Sequence, residues 1–428
     1  MIVIYTPKVT NRIKYTADFV FSQYFGMQYV FTENPDISIV SDNLYLNYSK
    51  NRLANFYNIF QDDLLLENDI RLQKIFVSRE AAMPVFFQTT ENFDMRFDIF
   101  SCIFFLLSRY EEYLPHDKDI HGRYKSTNSI LAKHEFNFSP IVETWLHFLK
   151  QELLKINSSL EFKKYEFEYL PTFDIDNTFR YLGRNWLKHP PNIFEVNCWK
   201  TLLGKQTDPF DVYDKILNET KKYDLNKIFF FLLSDEGENN SKVSPESKKL
   251  KKIIQYISSH SDIGLHPSYH SLDENNVAGE YHKLYQIANR NVYHTRQHFL
   301  RISYPELIKN MEHTNALEID YSLMYPDVVG FRAGISRSFP LFNLLENKTT
   351  SIMLQPSCWM DATYAYYQPL NNDEIQHNFL TLFNQLRQIN GKLVAIFHND
   401  LLAMEKYWGV FRFINQQTNS GDEKQIEF

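Results

Sequence analysis

The sequence predicts an α/β protein in two parts. A smaller α/β unit comes first, and a parallel sheet closed, or nearly closed, into a barrel follows it. Three observations carry this expectation. From about Tyr165 strand-like apolar runs alternate with helical patterns, the rhythm of a parallel sheet. Unusual polar residues stand directly after those runs, where parallel barrels build their sites. Before His116 the chain has strand and helix patterns of its own but no cluster of acids or histidines.

A length of 428 residues suggests two domains, and a 44% hydrophobic fraction is ample for large cores. The net charge of -7 argues against nucleic acid as a partner. Cys102, Cys198 and Cys358 lie far apart without a C-x-x-C spacing, as expected of buried free thiols in a reducing compartment. Lys8 and Arg12 cut short the apolar start, so no secretory signal is expected. The longest apolar run, 99–107, falls well short of the ~20 residues of a transmembrane helix. A cytoplasmic location without a membrane span is the expectation. Oligomeric state is not legible.

In order, residues 2–5, 37–40 and 84–87 read as strands, 16–24 as a helix, and 97–113 as one long apolar helix. They make up an α/β domain, 1–125, expected to position a substrate or partner and to add no group to the chemistry. Residues 126–164 read as a linker with a docking helix. Ser139 is its expected cap and Pro140 lies in its first turn. Ile141, Trp145, Phe148, Leu149 and Leu153 share one face. The barrel domain is expected over 165–428, with strand runs at 167–173, 228–233, 263–265, 292–295, 317–319, 351–354 and 393–397. Helical patterns at 210–223, 245–257 and 375–389 lie between several of them. Residues 416–428 are polar and expected to fray.

Two stretches dominate the chemistry. Ile263-Gly264-Leu265-His266-Pro267-Ser268-Tyr269-His270 ends an apolar run on a histidine and places a second four residues on. Leu170-Pro171-Thr172-Phe173-Asp174-Ile175-Asp176 ends another on alternating carboxylates. Two imidazoles and a carboxylate are the usual ligand set of a catalytic zinc, with a coordination position left for water. A second carboxylate beside them could take a proton from that water. Taken singly, the stretches read equally as a solvated histidine pair and as turn residues after a strand. Arg296, His298, Asp320, Gln355 and His398 also follow strand runs, which favours a shared site.

The constellation resembles the polysaccharide deacetylases, carbohydrate esterase family four, over about 165–408. The carrying residues are Thr172-Phe173-Asp174-Ile175-Asp176, His266 with His270, Phe331-Arg332-Ala333-Gly334, and Ile396-Phe397-His398. Pro267 and Gly334 depart from the family's usual residues. The resemblance implies a distorted (β/α)7-type barrel and a divalent metal, zinc foremost, on Asp176, His266 and His270. It implies Asp174 as the base that takes the water proton, Arg332 as its orienting cation, and His398 as the acid. Acetylated sugars or glycans would be the substrates, with Arg296, His298, Asp320, Trp359 and Asp361 as candidate contacts. Stretches 295–298 and 320–322 resemble a bacterial surface-polysaccharide subgroup that carries an extra amino-terminal α/β domain.

Three other readings stand beside this one, and one of them keeps the fold but hydrolyses another amide, as allantoinase-like relatives do. Asp174-Ile175-Asp176-Asn177-Thr178 also fits the nucleophile motif of haloacid-dehalogenase-like magnesium phosphatases, with Asp174 attacking phosphate. A catalytically silent barrel that binds glycan would keep the fold without the reaction.

Overall fold

The computed structural model describes residues 1–40, 43–80 and 83–420. The chain opens with a four-stranded, all-parallel sheet. Its strands are β1 (Ile2–Tyr5), β2 (Tyr29–Thr32), β3 (Leu44–Ser49) and β4 (Tyr57–Phe60), in the order β2-β1-β3-β4. Residues 37–40 form no strand, β2, β3 and β4 stand where the apolar pattern marked none, and the run expected at 84–87 overlaps only a short strand outside this sheet. Helix Asn11–Ala17, capped by Thr10, runs on into a π-helical turn at Asp18–Tyr24. A short antiparallel pair, β5 (Ser78–Glu80) and β6 (Met83–Val85), follows.

The expected single helix over 97–113 is two helices. Ile99–Leu107 is buried on every side, and Tyr110–Tyr113 restarts after Arg109, whose φ of 53° breaks the spiral. That left-handed residue is held because its guanidinium is buried against Glu112. Helix Ile141–Ile156 forms as expected, yet Pro140 takes the cap position and Ser139 makes no capping bond. Instead the Gly334 carbonyl accepts the Val142 N–H at 2.8 Å. Ile141, Trp145, Leu146, Leu149 and Leu153 are buried, each stabilising by roughly 1.5–3 kcal/mol. The Trp145 indole donates to the Pro84 carbonyl at 2.8 Å.

A nine-stranded sheet forms the rest. Its strands are β7 (Glu168–Ile175), β8 (Ile228–Leu232), β9 (Asp262–His266), β10 (His294–Thr295), β11 (Ile319–Asp320), β12 (Phe339–Asn343), β13 (Lys348–Leu354), β14 (Trp359–Met360) and β15 (Lys392–His398). The order is β12-β13-β11-β10-β9-β8-β7-β15-β14, and only the β12–β13 pair is antiparallel. All seven expected strand runs lie in this sheet; β12 and β14 are additional. Helices Tyr213–Lys221, Lys248–Ser258 and Asn372–Gln388 stand where helical patterns were read.

The sheet curls, so that Leu170, Ile228, Phe230, Tyr321 and Val394 form one inner cluster although β11 lies three strands from β8. Of the two outcomes the rhythm allowed, a closed or a nearly closed sheet, the hydrogen-bonded ladder is not the closed one. Residues 355–358 carry the chain across the gap, the Gln355 N–H bonding the Asp320 carbonyl and the Cys358 N–H bonding that of Val394. Glycine is required at 264, because a Cβ there would lie 2.4 Å from the Phe230 ring.

One contiguous apolar core runs through both parts of the chain. Phe104 meets Phe342 at 5.1 Å, and the Tyr15 hydroxyl donates to the Pro340 carbonyl. The three cysteines are buried and unbridged. Helix Glu405–Asn419 extends well into the tail expected to fray, of which 421–428 lie outside the described residues. No helix among the described residues is long and apolar enough to cross a membrane.

Candidate metal centre

Strands β7, β8, β9 and β15 run side by side, so their carboxyl ends deliver side chains to one rim. Asp174 lies near the end of β7 and Asp176 just past it, His266 closes β9, and His398 closes β15. In the β9–β10 register Thr295 stands opposite Leu265, and this sets Arg296 and His298 beside His266.

Asp176, His266 and His298 converge. Nδ1 of His298 lies 3.0 Å from Nε2 of His266, while Oδ1 of Asp176 lies 3.2 Å from His266 Nε2 and 3.4 Å from His298 Nδ1. The other nitrogen of each ring meets a backbone carbonyl, His266 Nδ1 on Arg296 at 2.6 Å and His298 Nε2 on Asn239 at 2.8 Å. A carbonyl can only accept, so these outer nitrogens carry the protons and the inner ones present lone pairs. Burial pushes His298 down to about 4, which keeps it neutral at pH 7. Burial would raise Asp176, yet positive charge on the imidazoles around it, that of His398 included, holds it below the ordinary carboxylate range. Its Oδ1 is buried without a hydrogen-bond donor.

Three lone pairs facing one another in a buried place repel unless a cation lies between them. A tetrahedral ion with bonds of about 2.0–2.1 Å separates its donors by about 3.3–3.4 Å, close to the spacing here. Histidine ligands also characteristically donate their far N–H to a carbonyl, as both do. The donor set therefore fits a divalent metal.

Around this group stand two further arrangements. Asp174 Oδ1 accepts from Arg296 Nη1 at 2.7 Å, and its Oδ2 lies 4.0 Å from His266 Nε2. Arg296 is itself fully buried, bonded to the Tyr321 carbonyl and Ser357 Oγ, with its guanidinium 4.4 Å above the Phe230 ring. On the far side His398 Nδ1 meets Asp361 Oδ1 at 2.7 Å, and Asp361 Oδ2 accepts the His398 backbone N–H. Burial would lower this imidazole, yet the Asp361 charge raises it to about 10, so it is an imidazolium at neutral pH. A cleft of ≈ 110 Å³ is lined by Asp174, Asp176, His266, His298 and His398, with Phe299 and Tyr367 among its walls. Arg123 reaches it from the segment expected to stay away from the chemistry, bonded to Asp119, the Phe299 carbonyl and the Tyr367 hydroxyl.

Several expected site residues lie elsewhere. His270 is exposed and outside the converging group. Two histidines four apart share a face on a helix or on a strand, but β9 ends at His266 and the chain leaves it through Pro267 into a turn, so neither geometry applies. Glu280 holds that turn by accepting from the Ser268 N–H and the Ser271 hydroxyl, and the Tyr269 N–H bonds Asn240 Oδ1. The third donor is instead His298, read from sequence as a substrate contact. Arg332 is not at Asp174 either: its donors go to Glu112 and the Met324 carbonyl. Arg296 occupies the place expected of it. Trp359 is wholly buried against Tyr364 and Phe397, and Asp320 is buried and bonded to Ser322, so neither wall faces substrate. Asp361 sits behind His398.

A family model described as a family of unknown function, DUF7033, matches residues 2–158. No curated protein matches the chain. Among solved structures it is similar to a polysaccharide-deacetylase candidate from Mycobacterium smegmatis, with 13% identity, a TM-score of 0.41, and coverage of 61% of this chain and 87% of that one. The Puue allantoinase gives 12%, 0.41, 59% and 85%. The polysaccharide deacetylase Bc1974 from Bacillus cereus gives 10%, 0.31, 61% and 95%. None of these likenesses carries a functional assignment.

Proposed function

We propose that this chain is a metal-dependent hydrolase that removes the acetyl group from the nitrogen, or an oxygen, of an acetylated sugar. The observation that supports it most is the convergence of three unprotonated donor atoms from Asp176, His266 and His298 on one point. These residues would hold a divalent cation, zinc by the character of its donors. Such an ion, when bound, supplies Lewis acidity that polarises a carbonyl and brings a water's pKa toward neutrality.

The chain's own groups do the rest. Asp174, fixed through Oδ1 by Arg296, keeps Oδ2 beside the three donors and accepts the proton of the attacking water. His398 gives Nδ1 to Asp361, so its proton at Nε2 is the one available to the departing amine or alkoxide. An amine leaves poorly without that proton, and an imidazolium standing ready at neutral pH answers the need. Phe299, Tyr366 and Tyr367 offer aromatic faces along the cleft that suit the apolar face of a sugar ring.

The test is metal analysis of the purified protein together with acetate release from N-acetylglucosamine oligomers and O-acetylated sugars. Stoichiometric metal with chelator-sensitive acetate release is expected. A protein that binds no divalent metal and releases no acetate from either class is not the hydrolase proposed.

A further inference from the structure

Between β7 and β8, on the rim that carries the three donors, the chain makes a long excursion. It presents Trp186, Leu187, Phe194, Val196, Trp199 and Leu203 outward, with Leu187 99% and Phe194 91% exposed. Large apolar side chains gathered so densely on a surface mark a contact with something apolar. Residues 184–205 also hold Arg184, Lys188, Lys200 and Lys205 against the single carboxylate of Glu195, in a chain whose net charge is -7. Glu195 is engaged by Arg180 and Tyr181, and Lys188 leans on Asp235, which leaves Lys200 and Lys205 exposed beside the apolar side chains.

Tryptophan, phenylalanine and leucine interleaved with exposed lysine are the chemistry of the membrane–water interface, where the rings enter the headgroup layer and the cations meet anionic lipid. We propose that this excursion docks the protein on an anionic bilayer surface. It lies on that surface and does not span it. The anchoring is tied to the metal centre. Asn185, Lys188 and His189 all bond Asp235, and four residues further on the Asn239 carbonyl holds His298 Nε2. The docking segment and the third donor are thus tied through one loop, 235–239.

The test uses the purified full chain in flotation with phosphatidylcholine vesicles, with and without about 30 mol % phosphatidylserine. Binding to the anionic vesicles is expected to exceed binding to the neutral ones by roughly tenfold or more, and to weaken as salt rises. The double variant Leu187→Ser/Phe194→Ser touches only solvent-facing side chains, so it should keep its circular dichroism and lose flotation. Lys200→Glu/Lys205→Glu should lose the preference for phosphatidylserine. Three results would each overturn the proposal: no flotation of the wild-type chain with either vesicle, equal binding to both, or unchanged binding by the Leu187/Phe194 variant. So would a self-associated species that the serine variant abolishes in a chain that never floats, since the patch would then be covered by a second copy.

Discussion

The inner nitrogens of His266 and His298 stand 3.0 Å apart, and both outer nitrogens donate to backbone carbonyls. Asp176 completes the triangle. A triangle of acceptors so placed suits a cation at its centre, and it separates His298 from His270 as the third donor.

Substituting His298 by Ala should lower affinity for zinc by more than the about 10- to 100-fold typical of losing an outer partner of a ligand. Substituting His270 by Ala should leave affinity near that of the wild type. Metal content after dialysis against a graded chelator reads the difference. Equal losses in the two variants would put His270 back in the site.

Asp174→Asn and Asp176→Asn should part in the same way. The first should retain metal while turnover on an acetylated sugar falls by about 10²- to 10⁴-fold, the scale of a positioned base. The second should lose metal and recover partly when metal is in excess. If His266→Ala keeps both metal and rate while Asp174→Asn is dead, the phosphatase reading gains instead.

The two buried arginines should fail differently. Arg296→Met removes the cation that orients Asp174, so turnover of the folded protein should drop by about 10- to 100-fold, and the carboxylate left buried also costs stability. Arg332→Met leaves Glu112 with Arg109 alone inside a buried cluster, and breaking such a pair costs about 3–5 kcal/mol. Thermal unfolding should report both variants, and kcat of the folded, metal-loaded protein should fall in Arg296→Met and be spared in Arg332→Met.

The titration of His398 has a definite sign. Its folded value of about 10 lies above the ordinary 6.5, so the stability it contributes is complete below about 6.5 and is lost as pH rises toward 10. Unfolding temperature should therefore decline over that window in the wild type and decline less in His398→Gln. In the metal-free protein the buried, neutral His298 acts in the opposite direction. Its contribution is present above about 6.5 and lost as pH falls through about 4. An alkaline limb of equal slope in wild type and His398→Gln would contradict the assignment of the imidazolium.

Much of this protein was legible in the order of its residues. Seven apolar runs set the parallel strands, and strand ends are where a parallel α/β sheet must present its polar side chains, so Asp174, Asp176, His266 and His398 could be marked without coordinates. Local pattern decided these because alternation and run length are properties of neighbouring residues. What only the tertiary structure decided were pairings across long separations. The register of β10 on β9 chose His298 over His270, since the chain turns after Pro267 and the four-residue spacing never becomes a helical face. The burial of Glu112, 220 residues before Arg332, drew that arginine away and left Asp174 to Arg296. No spacing rule reaches such choices, because each depends on which buried charge finds its partner first in three dimensions, and a buried charge without one is too costly to keep.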